Sequence, residues 1–250
     1  MSSCIIVVPC YNEAARLDVD AFAAFIARID VQFLFVDDGS VDDTVRVLKE
    51  LQSRCPARIR IHSLAANAGK AEAVRIGLLE ACGSRPTYVA FWDADLATPL
   101  EDIVPFIQLL DERPEIEMVF GSRINLLGRS VHRKLARHYI GRVFATAAAL
   151  VLGLGVYDTQ CGAKMFRVSD RFVELLREPF IGGWIFDVEM IARDIAARRG
   201  TDLPRTASII YEFPLTVWRD VAGSKIKLRD WFFVGNNLVR IYFRYMWRRG

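Results

Sequence analysis

A chain of 250 residues, 52% hydrophobic and 25% charged, is no disordered segment and has ample material for the core of one large α/β unit. Its formal net charge of +3 excludes nucleic-acid binding through bulk positive charge. Five cysteines without a Cys-x-x-Cys spacing exclude a zinc ribbon and favour reduced thiols over a disulfide framework.

From the N-terminus, short apolar runs alternate with helical patterns. Cys4 to Pro9 reads as a strand buried on both faces, and Ala14 to Ile29 carries helical spacing through Leu17, Phe22, Phe25, Ile26 and Ile29. Gln32 to Val36 is a second strand, Asp42 to Cys55 a helix, and Ile59 to Leu64 a third strand. Ala71 to Ala81 is a helix, Tyr88 to Trp92 a fourth strand, Leu100 to Asp111 a helix and Met118 to Gly121 a strand. Such alternation predicts a mostly parallel sheet flanked by helices, with ligands beyond the carboxyl ends of its strands. Pro9, Asp37 with Asp38, and Asp93 with Asp95 close the first, second and fourth strands, so one cleft is expected to gather them.

Beyond residue 122 the rhythm changes. Ser130 to Leu152 reads as one or two helices, basic at the start and apolar later, and Asp158 to Phe166 as a polar, Gly-containing segment. Phe172 to Leu176 is a short helix, Ile185 to Arg199 a strong one, Ser208 to Pro214 a strand and Arg219 to Lys227 a basic loop. Trp231 to Trp247 is a final aromatic helix. No repeat or linker divides the chain, so residues 1–250 are expected to form one domain. No signal peptide follows Met1. The apolar run from Val143 to Tyr157 falls short of the roughly 18 residues of a membrane span.

Asp93-Ala94-Asp95, directly after an apolar strand, is the sharpest local signal. Two carboxylates at i, i+2 can hold Mg²⁺ or Mn²⁺ on a diphosphate, because these ions favour hard oxygen ligands. Asp37-Asp38-Gly39-Ser40 can cap the next helix while presenting a carboxylate to a nucleoside. Pro9-Cys10-Tyr11-Asn12-Glu13 offers an aromatic ring for a base together with donors and acceptors. Asn67-Ala68-Gly69-Lys70 adds a turn and a cation beside the same cleft.

Taken in order, VVPCYNE, VDDGSVDDT, NAGKAEAV and DADLATP resemble the nucleotide-sugar half of a family 2 glycosyltransferase with the GT-A fold. GSRI, HRKLARHYIGR, DTQCGAKMFR, GWIFDVEMI and AGSKIKLRD resemble the second half of polyprenyl-phosphate sugar synthases, especially the dolichyl-phosphate β-glucosyltransferase and mannose synthase branches. The resemblance covers nearly the whole chain. It implies a nucleotide-sugar-binding half over 1–121 and an acceptor- and membrane-facing half over 122–250, with C-terminal helices on the acceptor side. Ala97 stands where mannose synthases usually carry Gln, and Ala163 where the glucosyl branch usually carries an aromatic.

The resemblance implies inverting, metal-dependent transfer of a hexose from a nucleoside diphosphate sugar, UDP-glucose before GDP-mannose, to a dolichyl or undecaprenyl phosphate. Pro9, Tyr11, Asn12, Glu13, Asp37, Asp38, Gly39, Lys70 and Ala94 would line the donor, and Asp93 and Asp95 would hold Mg²⁺ or Mn²⁺. Asp187 would orient the acceptor or the sugar. Arg123, Arg133, Arg137, Lys164, Arg219, Ser224 and Lys225 would receive the acceptor phosphate, which guanidinium groups bind in a bidentate manner. The acceptor's tail demands a chain peripheral to the cytosolic face of a membrane, with Val143 to Leu154 and Trp231 to Trp247 lying in the interface; a membrane-protein partner is compatible with this. Two rival readings are a sugar-hydroxyl acceptor with Asp187 as base, and a non-catalytic nucleotide-sugar-binding membrane subunit.

Overall fold

The computed structural model describes residues 2–124, 130–132, 135–219 and 230–247; the side chains of 130–132, 135–140, 219 and 230–233 lie outside the described part. Apolar runs too short for helices form the strands β1 (Cys4–Cys10), β2 (Gln32–Asp37), β3 (Ile59–Ser63), β4 (Tyr88–Trp92) and β5 (Met118–Ser122). Between them run α1 (Val19–Arg28), α2 (Thr44–Arg54), α3 (Lys70–Gly83) and α4 (Ile103–Glu112). There follow β6 (Ser130–His132), α5 (Leu135–Leu152), β7 (Ala163–Arg167), α6 (Asp170–Arg177), α7 (Phe186–Arg198), α8 (Thr206–Ile209), β8 (Ile210–Pro214), β9 (Val217–Arg219) and α9 (Asp230–Ile241). A π-helical turn, Tyr242–Met246, continues α9.

The described residues build a seven-stranded sheet in the order β3-β2-β1-β4-β7-β5-β8, with β6 and β9 pairing apart from it. Every pairing in the large sheet is parallel except those of β7, which runs antiparallel to both β4 and β5. Strands from both sides of residue 121 thus share one sheet. Alternation along β1 shows how its two faces are covered. Ile6 and Val8 join Phe22, Phe25, Leu48, Leu51 and Phe106 from α1, α2 and α4, whereas Ile5 and Val7 join Val74, Leu78, Ala148, Phe172, Leu176 and Ile191 from α3, α5, α6 and α7.

Several boundaries differ from the sequence reading. The first helix begins at Val19 because the Asp18 side chain accepts the Ala21 N–H at 2.9 Å. Residues before it form a turn in which Glu13 O accepts the N–H groups of Arg16 and Leu17. Residues 163–167, largely within the segment read as polar and Gly-containing, form a central strand in which Lys164 is fully buried with its charge matched inside the protein. The basic-to-apolar stretch from 130 gives a short strand before one helix, and the last helix changes to π-helical geometry at Tyr242.

Helix α3 lies close to the sheet at Gly77, where a Cβ would stand 2.4 Å from Val7 Cγ1 and 2.8 Å from Val36 Cγ2. Both contacts are core side chains in a packed layer, so Gly77→Ala should lower stability by about 1–3 kcal/mol through overpacking. Gly83→Ala, in the same helix with nothing within 4 Å of the new carbon, should be neutral or gain about 0.5–1 kcal/mol from helix propensity. Urea unfolding of the two variants beside the parent chain measures the contrast.

Candidate active site

The strand ends build the cleft. In register, Cys10 of β1 lies beside Asp37 of β2, and the Asp38 N–H donates to Cys10 O at 2.8 Å. Asn12 ties the two following loops together: its N–H donates to Ser40 Oγ at 3.0 Å and its Oδ1 accepts from the Val41 N–H at 3.0 Å. That double clamp holds Asn12 at φ +52°, a conformation that asparagine tolerates better than most residues. The Glu13 N–H donates to Thr44 Oγ1, and the Glu13 carboxylate accepts from Arg16 at 2.6 Å. Pro9, Tyr11 and Gly39 are partly buried at this edge, with Gly39 against Ala66 and Asn67.

Asp37 and Asp38 are each only 2% exposed. Asp38 Oδ1 accepts from the Ala68 N–H at 2.7 Å, and its Oδ2 accepts from the Gly69 N–H and Asn67 Nδ2, both at 2.9 Å. Both oxygens therefore serve the protein's own 67–69 loop, and the expected direct contact of Asp38 with a nucleoside gives way to loop positioning. Burial pushes its carboxyl above the usual range, against the lowering effect of the two backbone N–H groups.

At the end of β4 the loop turns sharply. The Asp93 N–H donates to Gly162 O at 2.9 Å, while Asp95 Oδ1 accepts from the Ala97 N–H at 3.1 Å. A Cβ on Gly162 would stand 1.9 Å from Asp93 Oδ2, so any side chain here would push the Asp93 carboxylate out of its place. Lys70, the first residue of α3, places its Nζ 2.5 Å from Asp93 Oδ1 and 5.5 Å from the centre of the Trp184 ring. Ala94 is buried beneath this turn.

The electrostatics of these groups are coupled. Burial raises the Asp95 carboxyl, and the Asp93 charge raises it further. Burial favours a neutral Lys70, but Asp93, Asp187 and Asp95 outweigh it and hold the ammonium above its usual range. Burial likewise raises Asp187, opposed by Lys164 and Lys70. Two hard carboxylates two residues apart, crowded and already attracting an ammonium, fit a divalent cation, whose remaining ligands would have to come from a bound substrate and water. Among the described residues, no group of three His, Cys, Asp or Glu side chains forms a self-sufficient metal cage.

Asp187, in the first turn of α7, faces Lys164 at 2.9 Å and receives Gln160 Nε2 at 3.4 Å. Lys164 itself is fully buried, donates to Cys161 O at 2.5 Å and lies between the rings of its cross-strand neighbours Phe91 and Phe120, 5.0 and 5.1 Å from their centres. Lys164, expected at the acceptor phosphate, is thus fully buried with its charge matched by Asp187. Arg123 grips Asp158 with two bonds of 2.7 and 2.8 Å and covers the Trp218 ring. Glu212 fixes that segment by accepting the Tyr157 and Asp158 N–H groups. Arg133, Ser224 and Lys225 lie outside the described residues; Arg137 belongs to α5 and Arg219 to β9, their side chains outside the described part.

Gly162, Gln160, Trp184 and Tyr245 were not among the residues assigned from sequence. The signal for the first two was the DTQCG segment itself, whose glycine and glutamine meet Asp93 and Asp187. Glu189 belongs to a separate buried network: it accepts from the Gly182 N–H at 2.6 Å, from Arg193 at 2.7 Å and from the Tyr245 hydroxyl at 3.0 Å. Removing its charge leaves the buried Arg193 with backbone carbonyls but no counter-charge, so Glu189→Ala should cost about 3–5 kcal/mol in chemical unfolding. A loss below about 1 kcal/mol would mean that the network relaxes around the gap.

The fold and this cleft have known counterparts. The model of the family "Glycosyl transferase family 2" matches residues 5–171. A dolichyl-phosphate beta-glucosyltransferase of Dictyostelium discoideum is 30% identical, with 96% of this chain aligned to 74% of the relative. The enzyme of that name from Saccharomyces cerevisiae is also 30% identical, over 96% of this chain and 74% of the relative. Among solved structures, glucosyl-3-phosphoglycerate synthase from Mycobacterium tuberculosis, in complex with Mn²⁺ and UDP-glucose, superposes with a TM-score of 0.67 at 20% identity, covering 100% of this chain and 81% of that one. A mannosyltransferase from Pyrobaculum calidifontis, in complex with GDP-Man and Mn²⁺, gives 0.61 at 16% identity over 97% and 64%. The mostly parallel sheet is that of the GT-A fold, and the chain belongs to glycosyl transferase family 2, a family of enzymes that transfer sugars.

Proposed function

We propose that this enzyme moves a hexose, from UDP-glucose in preference to GDP-mannose, to a polyprenyl phosphate with inversion at the anomeric carbon. The observation that carries the reading is the meeting of Asp93 with Lys70 and Gly162 at the mouth of the sheet, within electrostatic reach of Asp95 and Asp187. The similarity to dolichyl-phosphate beta-glucosyltransferases, over 96% of this chain and 74% of the relatives, supports the acceptor class.

In this reading the edge formed by Pro9, Tyr11, Asn12, Glu13, Asp37 and Gly39 receives the nucleoside, and Lys70 compensates diphosphate charge. Asp93 and Asp95 would hold Mg²⁺ or Mn²⁺, which when bound offsets the charge on the departing nucleotide. A phosphate monoester, with a second pKa of about 6, is already nucleophilic near neutrality, so it needs positioning more than a base. Its oxygen forms the new bond to the anomeric carbon on the face opposite the breaking bond to the diphosphate. Pairing with buried Lys164 and contact with Gln160 support Asp187 as a positioning carboxylate. Arg123, together with Arg133, Arg137, Arg219, Ser224 and Lys225, makes up the acceptor-phosphate side of the proposal.

Asp95→Asn should reduce turnover of UDP-glucose with a short polyprenyl phosphate by about a hundredfold or more, as expected when charge stabilisation at the leaving group is lost. Gly162→Ala should do the same by displacing Asp93. EDTA should silence the parent enzyme until Mn²⁺ or Mg²⁺ is restored. Full turnover in EDTA would remove the metal from the reading, and turnover with free sugars but not with polyprenyl phosphate would change the acceptor.

The C-terminal segment supports a membrane-surface location on the cytosolic side. No described helix is long and apolar enough to cross a bilayer. The rings of Tyr242, Phe243 and Trp247 nevertheless cluster at 5.5–6.0 Å with 36%, 60% and 52% exposure, and Arg244 follows Phe243 in the chain, over the Tyr245 ring. Exposed aromatics with interleaved cations suit an anionic interface. Parent protein should float with anionic vesicles at low salt, and Phe243→Ser with Trp247→Ser should cut the floated fraction severalfold. Equal flotation of both would place the contact elsewhere.

A further inference from the structure

We propose that Lys70 is the resident counter-ion of the Asp93–Asp95 pair and makes cation binding there conditional on a diphosphate. The inference rests on the reading of that pair as the metal site. Asp93 and Asp95 stand two residues apart at the end of β4, both partly buried, with buried Ala94 between them and Gly162 against the Asp93 carboxylate. Two anions crowded in this way attract a positive charge, and the protein supplies one: Lys70 Nζ lies 2.5 Å from Asp93 Oδ1. An ammonium at that distance occupies the electrostatic position that a divalent ion would take on the same oxygen. A divalent cation must displace it, at the cost of breaking a charge-assisted bond.

The surroundings hold Lys70 in that place without locking it there. Its charge rests over the face of Trp184, 5.5 Å from the ring centre. Trp184 sits in a 3₁₀ turn, Gly183–Ile185, that is anchored from behind. The Gly182 N–H donates to buried Glu189, and Gly182 O accepts from Asn237 of α9. The ammonium therefore rests against an aromatic ring carried on an anchored turn, while the long lysine stem has several rotatable bonds and its side chain is 27% exposed. A diphosphate entering the cleft gives Lys70 a second anionic partner. Once the ammonium turns toward phosphate oxygens, Asp93 is released to take the cation.

Linkage makes the effect reciprocal: whatever diphosphate does for cation affinity through Lys70, the cation does for diphosphate affinity. In the free protein, Lys70 suppresses cation binding. In the complex, it contributes to holding the nucleotide. One residue thereby couples the two bindings: the acidic pair is compensated by Lys70 in the free protein and by the cation in the complex.

Free Mn²⁺, followed by its electron paramagnetic resonance signal, reads this directly without turnover. Titrations would be run on the parent protein, Lys70→Met, Lys70→Arg and Asp95→Asn, each with and without UDP. Lys70→Met should bind nucleotide-free Mn²⁺ about tenfold more tightly than the parent, the change expected when a competing charge a few ångströms away is removed. Its gain in Mn²⁺ affinity on adding UDP should shrink, and Lys70→Arg should restore the parent's weak nucleotide-free binding. Lys70→Gln repeats the comparison with a polar side chain, and circular dichroism melts establish that each variant is folded. Nucleotide-free affinity in folded Lys70→Met and Lys70→Gln that is equal to the parent's, or weaker, overturns the counter-ion role. Mn²⁺ binding that survives Asp95→Asn undiminished, with UDP present, overturns instead the assignment of the metal site on which the inference stands.

Discussion

The antiparallel pairing of β4 with β7 is the constraint from which the site follows. In an otherwise parallel sheet, β7 returns between β4 and β5, so that Ala163 faces Trp92 and Lys164 faces Phe91. That register brings Gly162 against Asp93 and lets the Asp93 N–H bond to Gly162 O. A parallel crossover at this place would have put a strand start, and not the DTQCG turn, beside the acidic pair. The same insertion sends Lys164 to the face covered by α7, where its ammonium reaches Asp187. One strand therefore shapes both carboxylate positions.

Around that centre, buried charge organises backbone that has no ladder of its own. Asp38 collects the N–H groups of 68 and 69, Glu212 those of 157 and 158, and Glu189 that of 182. Each loop would otherwise leave polar groups unmatched in a low-dielectric setting, which is costly. Removing such a carboxylate is expensive, because the buried N–H groups that it serves lose their acceptor. The consequence is definition: the loops that carry Lys70, Arg123 and Trp184 are each held by a carboxylate a short distance away.

The C-terminal segment joins this system from outside. Tyr245 reaches Glu189, Asn237 reaches Gly182 O, and Leu238 and Ile241 enter the core layer beside α7. On its other side, the segment presents exposed Val239, Phe243 and Trp247. A contact made by that apolar face is thus only a few bonds away from the turn that carries Trp184, and Trp184 is the wall against which Lys70 rests.

Much of this was legible in the residues. Period and length separated β1, β2, β4 and β5 from their helices, because a strand buried on both faces must be short, apolar and β-branched. The strand-end positions of Pro9, Asp37 and Asp93 foretold a shared cleft, since parallel strands deliver their carboxyl ends to one edge. The sequence also determined which charges exist near that edge, but not what each would meet. Lys164 carries the same signal as any solvated lysine, and only the insertion of β7 buries it between Phe91 and Phe120 opposite Asp187. Asp38 looks like a ligand contact until the 67–69 loop closes on both of its oxygens. Local pattern depends on a residue's neighbours in the chain, whereas the partner of a buried charge depends on strand order and register, and those are settled by contacts between residues up to more than a hundred positions apart.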